Sequence, residues 1–280
     1  MSEVKYIKDT FEDYLGAKDY ISSSDIKNFL KSPSYYYFKK YKEKDKETKK
    51  HFVFGSAAHE LFLEPSEFIN HYVVIPKLDL RTSAGKAKMA EFELNNQGKY
   101  FITDEEMLLI NTFVEKATKI DELALLMKDS YREVSCHTID EKTGLKVRIR
   151  PDILRSQQSA IADLKTTTDA SPKSFRRDSF SYGYNISAAF YTDFLQRADY
   201  LFVALEKNPP YDVTLYFLND ESVETGRQAY RMALDLMRYC YDNDYFCGYN
   251  EFEIMKECYS LGNMDKFSDL IKNGSKITIL

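Results

Sequence analysis

Several features that would place a chain in other protein classes are missing from this sequence of 280 residues. It holds no apolar run of about 18 residues, the length of a transmembrane helix, and its polar, acidic N-terminus is unlike a signal peptide. The 4 cysteines form no CxxC pair, which disfavours a zinc or iron–sulfur site and indicates reduced thiols in a cytoplasmic protein. The net charge of −5 argues against a histone-like basic coat but leaves room for a local basic groove.

The apolar pattern predicts a mainly helical first half. A helix is expected with its N-cap near Ser24, a short strand at 71–75, and further helices over 53–63, 84–96 and 104–127. Seven lysines between Lys39 and Lys50 predict a solvated basic loop.

The residue pattern of the second half predicts an α/β core. Two alternating segments within 131–154 flank the turn sequence DEKTG, which is typical of a hairpin with Gly144 in the turn. Strands are predicted over 159–167, 200–207 and 212–218, and helices over 184–198 and 220–243. No internal repeat is evident, so we expect one elaborated domain. Its parts are a helical region (1–130), a catalytic αβ core (131–245) and a C-terminal tail (246–280).

The stretch from Val147 to Thr168 points most directly to chemistry. Ten residues separate Asp152 from Asp163, and Lys165 follows Asp163 by two positions. Because side chains i and i+2 share one face of a strand, Asp163 and Lys165 point the same way. Two carboxylates offer the hard oxygen ligands that Mg²⁺ or Mn²⁺ takes, and the lysine could stabilise charge on a phosphodiester. The alternative, a plain ion pair on a strand, is disfavoured by the three residues together.

Three other residues have both a functional and a structural interpretation. Glu133 on the first hairpin strand could assist a second metal or face solvent. His59 lies in a predicted helix whose small neighbours, including Gly55, allow a close approach, so it could bind metal or simply pack. Tyr191 shares a predicted helix face with Ser187 and could contact a substrate phosphate or belong to the core.

Basic side chains near these segments are candidates for contacts with the DNA backbone, although each cluster alone is more often solvated surface. The candidates are Arg81, Lys86 and Lys88, then Arg148 and Arg150, then Lys173, Arg176 and Arg177. Residues 83–85, just ahead of a predicted helix, would also offer backbone N–H groups to phosphate.

Taken together, these residues resemble the PD-(D/E)xK nuclease superfamily, and more narrowly the RecE (exonuclease VIII)-like exodeoxyribonucleases of bacteriophages and prophages. The resemblance rests on FGSAAHELFLEPSEF, RTSAGKAKMAEF and the core run that begins VRIRPDIL and continues through ADLKTTT to SAAFYTDFL. It implies an α/β fold with a restriction-endonuclease-like core. That core is a central mixed sheet of about five strands flanked by helices, joined here to a helical N-terminal half.

The resemblance also implies roles for individual residues. Metal ligands would be His59, Asp152, Asp163 and the backbone carbonyl of Leu164, holding one or two Mg²⁺ ions that Mn²⁺ can replace. Lys165 would be the catalytic lysine, and Glu133 matches an acid placed near the metals.

Enzymes of this kind degrade one strand of linear duplex DNA from a 5′ end and leave a 3′ overhang. The resemblance therefore implies double-stranded DNA ends as substrate, a homo-oligomeric ring, a RecT-like single-strand annealing partner, and a place in the cytoplasm of a bacterial host rather than at a membrane.

One departure from the family pattern concerns Ser187, where related proteins commonly carry glutamine.

Two other functions are compatible with a nuclease-like fold. A single-strand or structure-specific nuclease of the iron–sulfur branch is disfavoured by the scattered cysteines. A module that only binds DNA ends is disfavoured because both aspartates and the lysine are present.

Overall fold

The computed structural model describes residues 3–43, 50–155, 160–197 and 199–272. Its strands are β1 (Lys5–Ile7), β2 (Tyr72–Val74), β3 (Tyr100–Ile102), β4 (Ser130–Arg132), β5 (Ser135–Ile139), β6 (Lys146–Ile149), β7 (Ile153–Arg155), β8 (Ala160–Thr167), β9 (Asp199–Glu206) and β10 (Val213–Phe217). Its α-helices are α1 (Phe11–Gly16), α2 (Ser23–Phe29), α3 (Pro33–Tyr37), α4 (Lys50–Leu63), α5 (Pro65–His71), α6 (Ser83–Asn95), α7 (Asp104–Ala117), α8 (Asp121–Met127), α9 (Pro172–Ser181), α10 (Tyr184–Leu195), α11 (Asp220–Asp242), α12 (Tyr249–Ser260) and α13 (Met264–Lys272), and a π-helical segment spans Phe38–Lys42.

A five-stranded mixed sheet in the order β10-β9-β8-β7-β4 forms the core. Strands β8 and β9 run parallel, with Asp163 opposite Phe202, while the other neighbouring strands are antiparallel. Parallel neighbours require a crossover connection, which α9 and α10 provide here. The predicted α/β fold with a five-stranded mixed sheet is therefore confirmed.

Each face of this sheet carries its own apolar cluster. Alternate residues of β8 divide between them, since Ile161 belongs to one cluster and Leu164 to the other. The first cluster includes Phe190 of α10 and Tyr230 of α11, and the second includes Phe113 of α7. Helices α10 and α11 approach closely at Gly226, where an added Cβ would lie 2.2 Å from the carbonyl oxygen of Asn185. Strand β8 is thus fixed from both sides.

A second sheet, in the order β1-β5-β6, receives the hairpin, and the chain passes between the two sheets twice. One passage is at Glu133, whose φ of +49° interrupts the strand between β4 and β5. The other is at Pro151, between β6 and β7, where the missing N–H ends the ladder. The two passages are adjacent, because Glu133 N donates to Asp152 O over 3.2 Å. The expectation of continuous strands across the hairpin segments is wrong for this reason.

Smaller differences have local causes. Helix α2 starts after Ser22 rather than Ser24, because Ser22 and Asp25 form a reciprocal capping box. The single helix expected over 104–127 is two helices that break near Thr118. In the tail, Phe252 of α12 and Phe267 of α13 are buried in the first apolar cluster. The predicted basic loop falls largely on 44–49 and the end of the tail on 273–280, both outside the described residues.

No helix within the described ranges is both long and apolar enough to cross a membrane.

Candidate active site

Three side chains predicted as metal ligands converge beside β8. Ligand atoms of His59, Glu133 and Asp152 all lie within 4.8 Å of one another. His59 comes from α4, and its Nδ1 is 3.5 Å from Asp152 Oδ2. Helix α4 lies close to the sheet at Gly55, where an added Cβ would be 3.7 Å from the Thr166 hydroxyl. The two acids meet because the chain changes sheets at both of their positions.

Asp152 is oriented by the backbone of the neighbouring strand. Its Oδ2 accepts a hydrogen bond of 2.6 Å from the N–H of Leu164. The side chain is buried, and so is that of Asp163 on β8. This contact couples the loop before β7 to the middle of β8, and it fixes one carboxylate of the cluster.

Glu133 is positioned by Arg150. The Arg150 Nε donates to Glu133 Oε2 over 3.0 Å, and its Nη1 donates to Asp9 Oδ1 and to Ser135 Oγ, each over 2.8 Å. The arginine side chain is 9% exposed, so these bonds satisfy it inside the protein. Because its guanidinium already bridges two carboxylates, these contacts favour a structural role for Arg150 over the predicted contact with DNA.

Arg148 is likewise an internal residue. It is 6% exposed, its Nη1 donates to the carbonyls of Tyr14 and Ala17, and its guanidinium lies over the Tyr14 ring. These contacts with the N-terminal segment favour a structural role for Arg148 over the predicted contact with DNA.

Electrostatics around the acids favour a cation. Burial, reinforced by the charge of Asp152, raises the pKa of Glu133 to about 8. Burial and the nearby Asp163 also raise the pKa of Asp152. Carboxylates that are largely withdrawn from water and repel each other gain most from a shared positive ion. One imidazole and two carboxylates are a donor set that suits a divalent cation, so the residues present fit the metal that this type of site implies.

Asp163 faces Lys165 rather than joining this group of three. The two side chains form an ion pair on one face of β8, and Lys165 Nζ also lies 3.3 Å from the carbonyl oxygen of Leu164. Burial lowers the pKa of Lys165, but the carboxylates of Asp163 and Asp152 outweigh it, and the net pKa is raised. The roles of Asp163 and of the Leu164 carbonyl as metal ligands stay predictions.

Tyr191 belongs to the core rather than to the open site. It is buried in the first apolar cluster and packs edge-on against Tyr200 at 5.8 Å between ring centroids. Burial raises its pKa well above the ordinary value. These contacts favour the structural interpretation of Tyr191 over the predicted contact with substrate.

Lys27 lies near the site in the structure, although no sequence motif points to it. Its Nζ donates to Ser187 Oγ over 3.2 Å. Burial, with a contribution from Lys165, lowers the pKa of Lys27 to about 8. A lysine in a short N-terminal helix has no motif around it, so only the three-dimensional packing of α2 on α10 could reveal it.

The remaining basic candidates are on the surface: Arg81, Lys86 and Lys88 at the start of α6, and Lys173, Arg176 and Arg177 on α9. The N–H of Gly85 is already capped by the Thr82 hydroxyl at 2.9 Å, which removes one of the groups predicted to hold phosphate. Arg177 pairs with Asp178. Contacts between these clusters and DNA stay predictions.

Comparison with known proteins supports the fold. Residues 22–257 match the model of a family described as a PDDEXK-like domain of unknown function (DUF3799). A crystal structure of a "Putative exonuclease" from Eubacterium rectale superposes with a TM-score of 0.59 at 16% identity and covers 85% of this chain and 88% of that chain. At this identity the likeness shows a shared fold alone. No curated protein gives a significant match.

Two further solved structures share less of the chain. A phage related exonuclease from Haemophilus somnus has 13% identity and a TM-score of 0.33, covering 59% of this chain and 85% of that chain. An alkaline exonuclease from Laribacter hongkongensis has 12% identity and a TM-score of 0.29, covering 83% and 97%. Both overlap too little in three dimensions to define the fold. The family match confirms the predicted PD-(D/E)xK fold.

Proposed function

The chain belongs to the family of PDDEXK-like domains, and we propose that it is a divalent-metal-dependent exonuclease acting on linear double-stranded DNA. It degrades one strand from the 5′ end and leaves a 3′ single-stranded overhang that serves annealing recombination. The polarity and the role in recombination come from the resemblance of its motifs to RecE-like exodeoxyribonucleases.

The observation that carries this proposal is the meeting of two groups at β8. His59, Glu133 and Asp152 supply a compact set of cation ligands, while the Asp163–Lys165 pair lies on the same strand that orients Asp152. An ion pair kept only for structure does not need an adjacent imidazole and two further acids, the buried Asp152 and the half-buried Glu133. Cation ligands beside a lysine ammonium suit phosphodiester hydrolysis, because both stabilise the negative charge that grows on the phosphate.

The residues have separable tasks. His59, Glu133 and Asp152 would hold Mg²⁺ or Mn²⁺, which when bound supplies Lewis acidity and neutralises phosphate charge. Asp163 holds the Lys165 ammonium in place by their ion pair. Lys165 then donates hydrogen bonds to a non-bridging phosphate oxygen and stabilises the negative charge that grows during in-line attack by water. Arg150 keeps Glu133 in position and stays away from the substrate.

The wider proposal concerns partners. The exposed clusters around α6 and α9 follow the DNA backbone, a homo-oligomeric ring retains the duplex, and a RecT-like annealing protein receives the 3′ strand. These parts rest on the resemblance, with the exposure of the basic side chains as support.

Digestion of linear duplex labelled at one 5′ or 3′ end, with Mg²⁺ or with EDTA, tests the proposal. Covalently closed circular duplex serves as the substrate control. Lys119→Ala, at an exposed lysine paired with Glu115, serves as the protein control. The proposal requires early release of the 5′ label, dependence on metal, and an intact circle.

Other results would select other functions. Cleavage of the circle would indicate an endonuclease, and preference for unpaired DNA would indicate a single-strand nuclease. Retarded migration of linear duplex without loss of length, under both Mg²⁺ and Mn²⁺, would indicate a module that only binds DNA ends.

A further inference from the structure

The amine of Lys27 reaches the first turn of α10, where Lys165 is also held. Its stem lies against Gly183, where an added Cβ would be 2.9 Å from Lys27 Cδ, and its Nζ donates to Ser187 Oγ over 3.2 Å. Between these two positions, the Tyr184 ring lies 5.5 Å from Lys165 Nζ. The first turn of α10 therefore contacts both lysines.

Helix α2 holds Lys27 in this position firmly. Its N-terminus is closed by the capping box of Ser22 and Asp25, and Lys40 ties Asp25 to the Tyr20 carbonyl through bonds of 3.0 and 2.7 Å. Ile26, the residue before Lys27, is fully buried in the first apolar cluster. The lysine thus projects from a fixed helix rather than from a mobile loop, which suits precise placement of a charge.

The amine is under-satisfied. An ammonium has three donors, and among the described residues Ser187 Oγ is its one hydrogen-bond acceptor, with no carboxylate within ion-pair distance. The carboxylate that acts on it electrostatically, Asp163, already pairs with Lys165, and withdrawing an ammonium from water without a direct partner of its own is costly. Lys40 is a contrast on a neighbouring element, since its buried amine is neutralised by Asp25. An anion supplied by the substrate would remove this cost at Lys27.

Ser187 explains how Lys27 fits. A glutamine at this position would extend into the space that the lysine amine occupies. The short serine leaves room for the amine and accepts a hydrogen bond from it. We infer that Lys27, seated by Ser187 and Gly183, binds a DNA backbone phosphate next to the scissile one and positions the strand. This inference rests on the proposed nuclease function and adds a residue to its substrate contacts.

Equilibrium binding to duplex DNA, measured by fluorescence anisotropy with Ca²⁺ in place of Mg²⁺ so that cleavage is suppressed, provides the test. Lys27→Met keeps the volume and removes the charge, Lys27→Arg keeps the charge, and Lys31→Met is the matched control. Lys31 is exposed just beyond α2, with its amine over the Tyr35 ring at 4.9 Å.

Loss of one phosphate contact has a defined signature. Lys27→Met should weaken binding about five- to tenfold and lower the slope of log K against log salt by about one. In steady-state digestion it should raise KM and leave kcat within about twofold, as expected for a contact of equal strength in ground and transition states. Lys27→Arg and Lys31→Met should retain wild-type affinity and slope.

Two double comparisons locate the contact. In duplexes with one neutral methylphosphonate linkage, the wild type should lose affinity when that linkage neighbours the scissile phosphate, while Lys27→Met should be insensitive there. Lys27→Met combined with Ser187→Gln should regain part of the affinity without regaining the salt slope, because an amide restores a hydrogen bond and no charge.

Lys27→Met with unchanged affinity and salt slope would overturn the inference, as would an equal effect of Lys31→Met. If Lys27→Met fails to fold, Ser187→Ala provides a second test, because it removes only the hydroxyl that accepts the hydrogen bond from Lys27. The inference requires this variant to bind duplex DNA more weakly than the wild type. Unchanged binding by that variant would count equally against the inference. A wild type that binds DNA with the Lys27 signature but never cleaves it would refute the nuclease proposal alone.

Discussion

Two groups of titratable side chains meet at β8, and they differ in charge and in origin. The acidic group, His59, Glu133 and Asp152, comes from α4 and from the two places where the chain changes sheets. The basic group, Lys27 and Lys165, comes from α2 and from β8 itself, and both of its members contact the start of α10. Asp163 lies between them, paired with Lys165 and close enough to Asp152 to raise its pKa. The acidic group suits a cation, and the basic group suits the phosphates that a cation accompanies.

Substitutions at Lys165 and at its partner Asp163 should have the largest effect on the rate of hydrolysis. Lys165→Ala removes the charge aimed at the transition state, and Asp163→Ala removes the carboxylate that holds that charge in place. Each variant should therefore lower the rate of duplex hydrolysis by about a hundredfold or more. The fold should remain, as judged by circular dichroism and by the unfolding transition. Near-wild-type cleavage by Lys165→Ala would mean that the basic group is not catalytic.

Asp152→Asn, which removes one charge from the acidic group, should raise the stability of the metal-free protein and weaken its binding of metal. The raised pKa values of Asp152 and Glu133 mean that ionising these acids costs folded-state stability. Metal-free Asp152→Asn should therefore melt above the wild type, and it should lose the rise in Tm that Mn²⁺ or Mg²⁺ gives the wild type.

The sign of the pH dependence follows from the direction of these shifts. A carboxyl whose folded pKa is raised contributes stability below its unfolded pKa, near 4, and loses it as pH rises through the folded pKa, about 8 for Glu133. The metal-free wild type should thus lose stability between these limits, and the advantage of Asp152→Asn should grow over the same window. An advantage that shrinks with rising pH would contradict the assignment.

Arg150 and Arg176 provide a further comparison, because the sequence predicts a DNA contact for both, whereas the structure shows one as internal and the other as exposed. Arg150→Met removes the bridge between Glu133 and Asp9 and should destabilise the protein by about 3–5 kcal/mol, the range for breaking a buried ion pair. Exposed Arg176→Ala should change stability by less than about 0.5 kcal/mol. Urea unfolding of both variants, with DNA binding of Arg176→Ala, measures the contrast; equal stabilities would contradict it.

Local sequence patterns sufficed for the Asp163–Lys165 pair and for three of the five strands of the central sheet. Asp163 and Lys165 follow from the two-residue period of a strand, and strands β8 to β10 follow from apolar runs between turn residues. The environment of Glu133 could not be foreseen, because a glutamate with positive φ at a change of sheet looks like any residue of an alternating strand. Arg148 and Arg150 have the composition of a DNA contact, and only the packing of the N-terminal segment shows them to be internal.

The smallest effect concerns the ring beneath Lys165. Tyr184 places its face 5.5 Å from the ammonium, an interaction of about 0.5–1 kcal/mol at a partly exposed site. Tyr184→Leu should therefore lower kcat/KM about two- to fivefold, whereas Tyr184→Phe, which keeps the ring and removes the hydroxyl, should stay close to the wild type. Steady-state digestion of end-labelled duplex distinguishes the two. A larger loss in the phenylalanine variant would assign the effect to the hydroxyl, and the basic group would then be held by a hydrogen bond rather than by the ring.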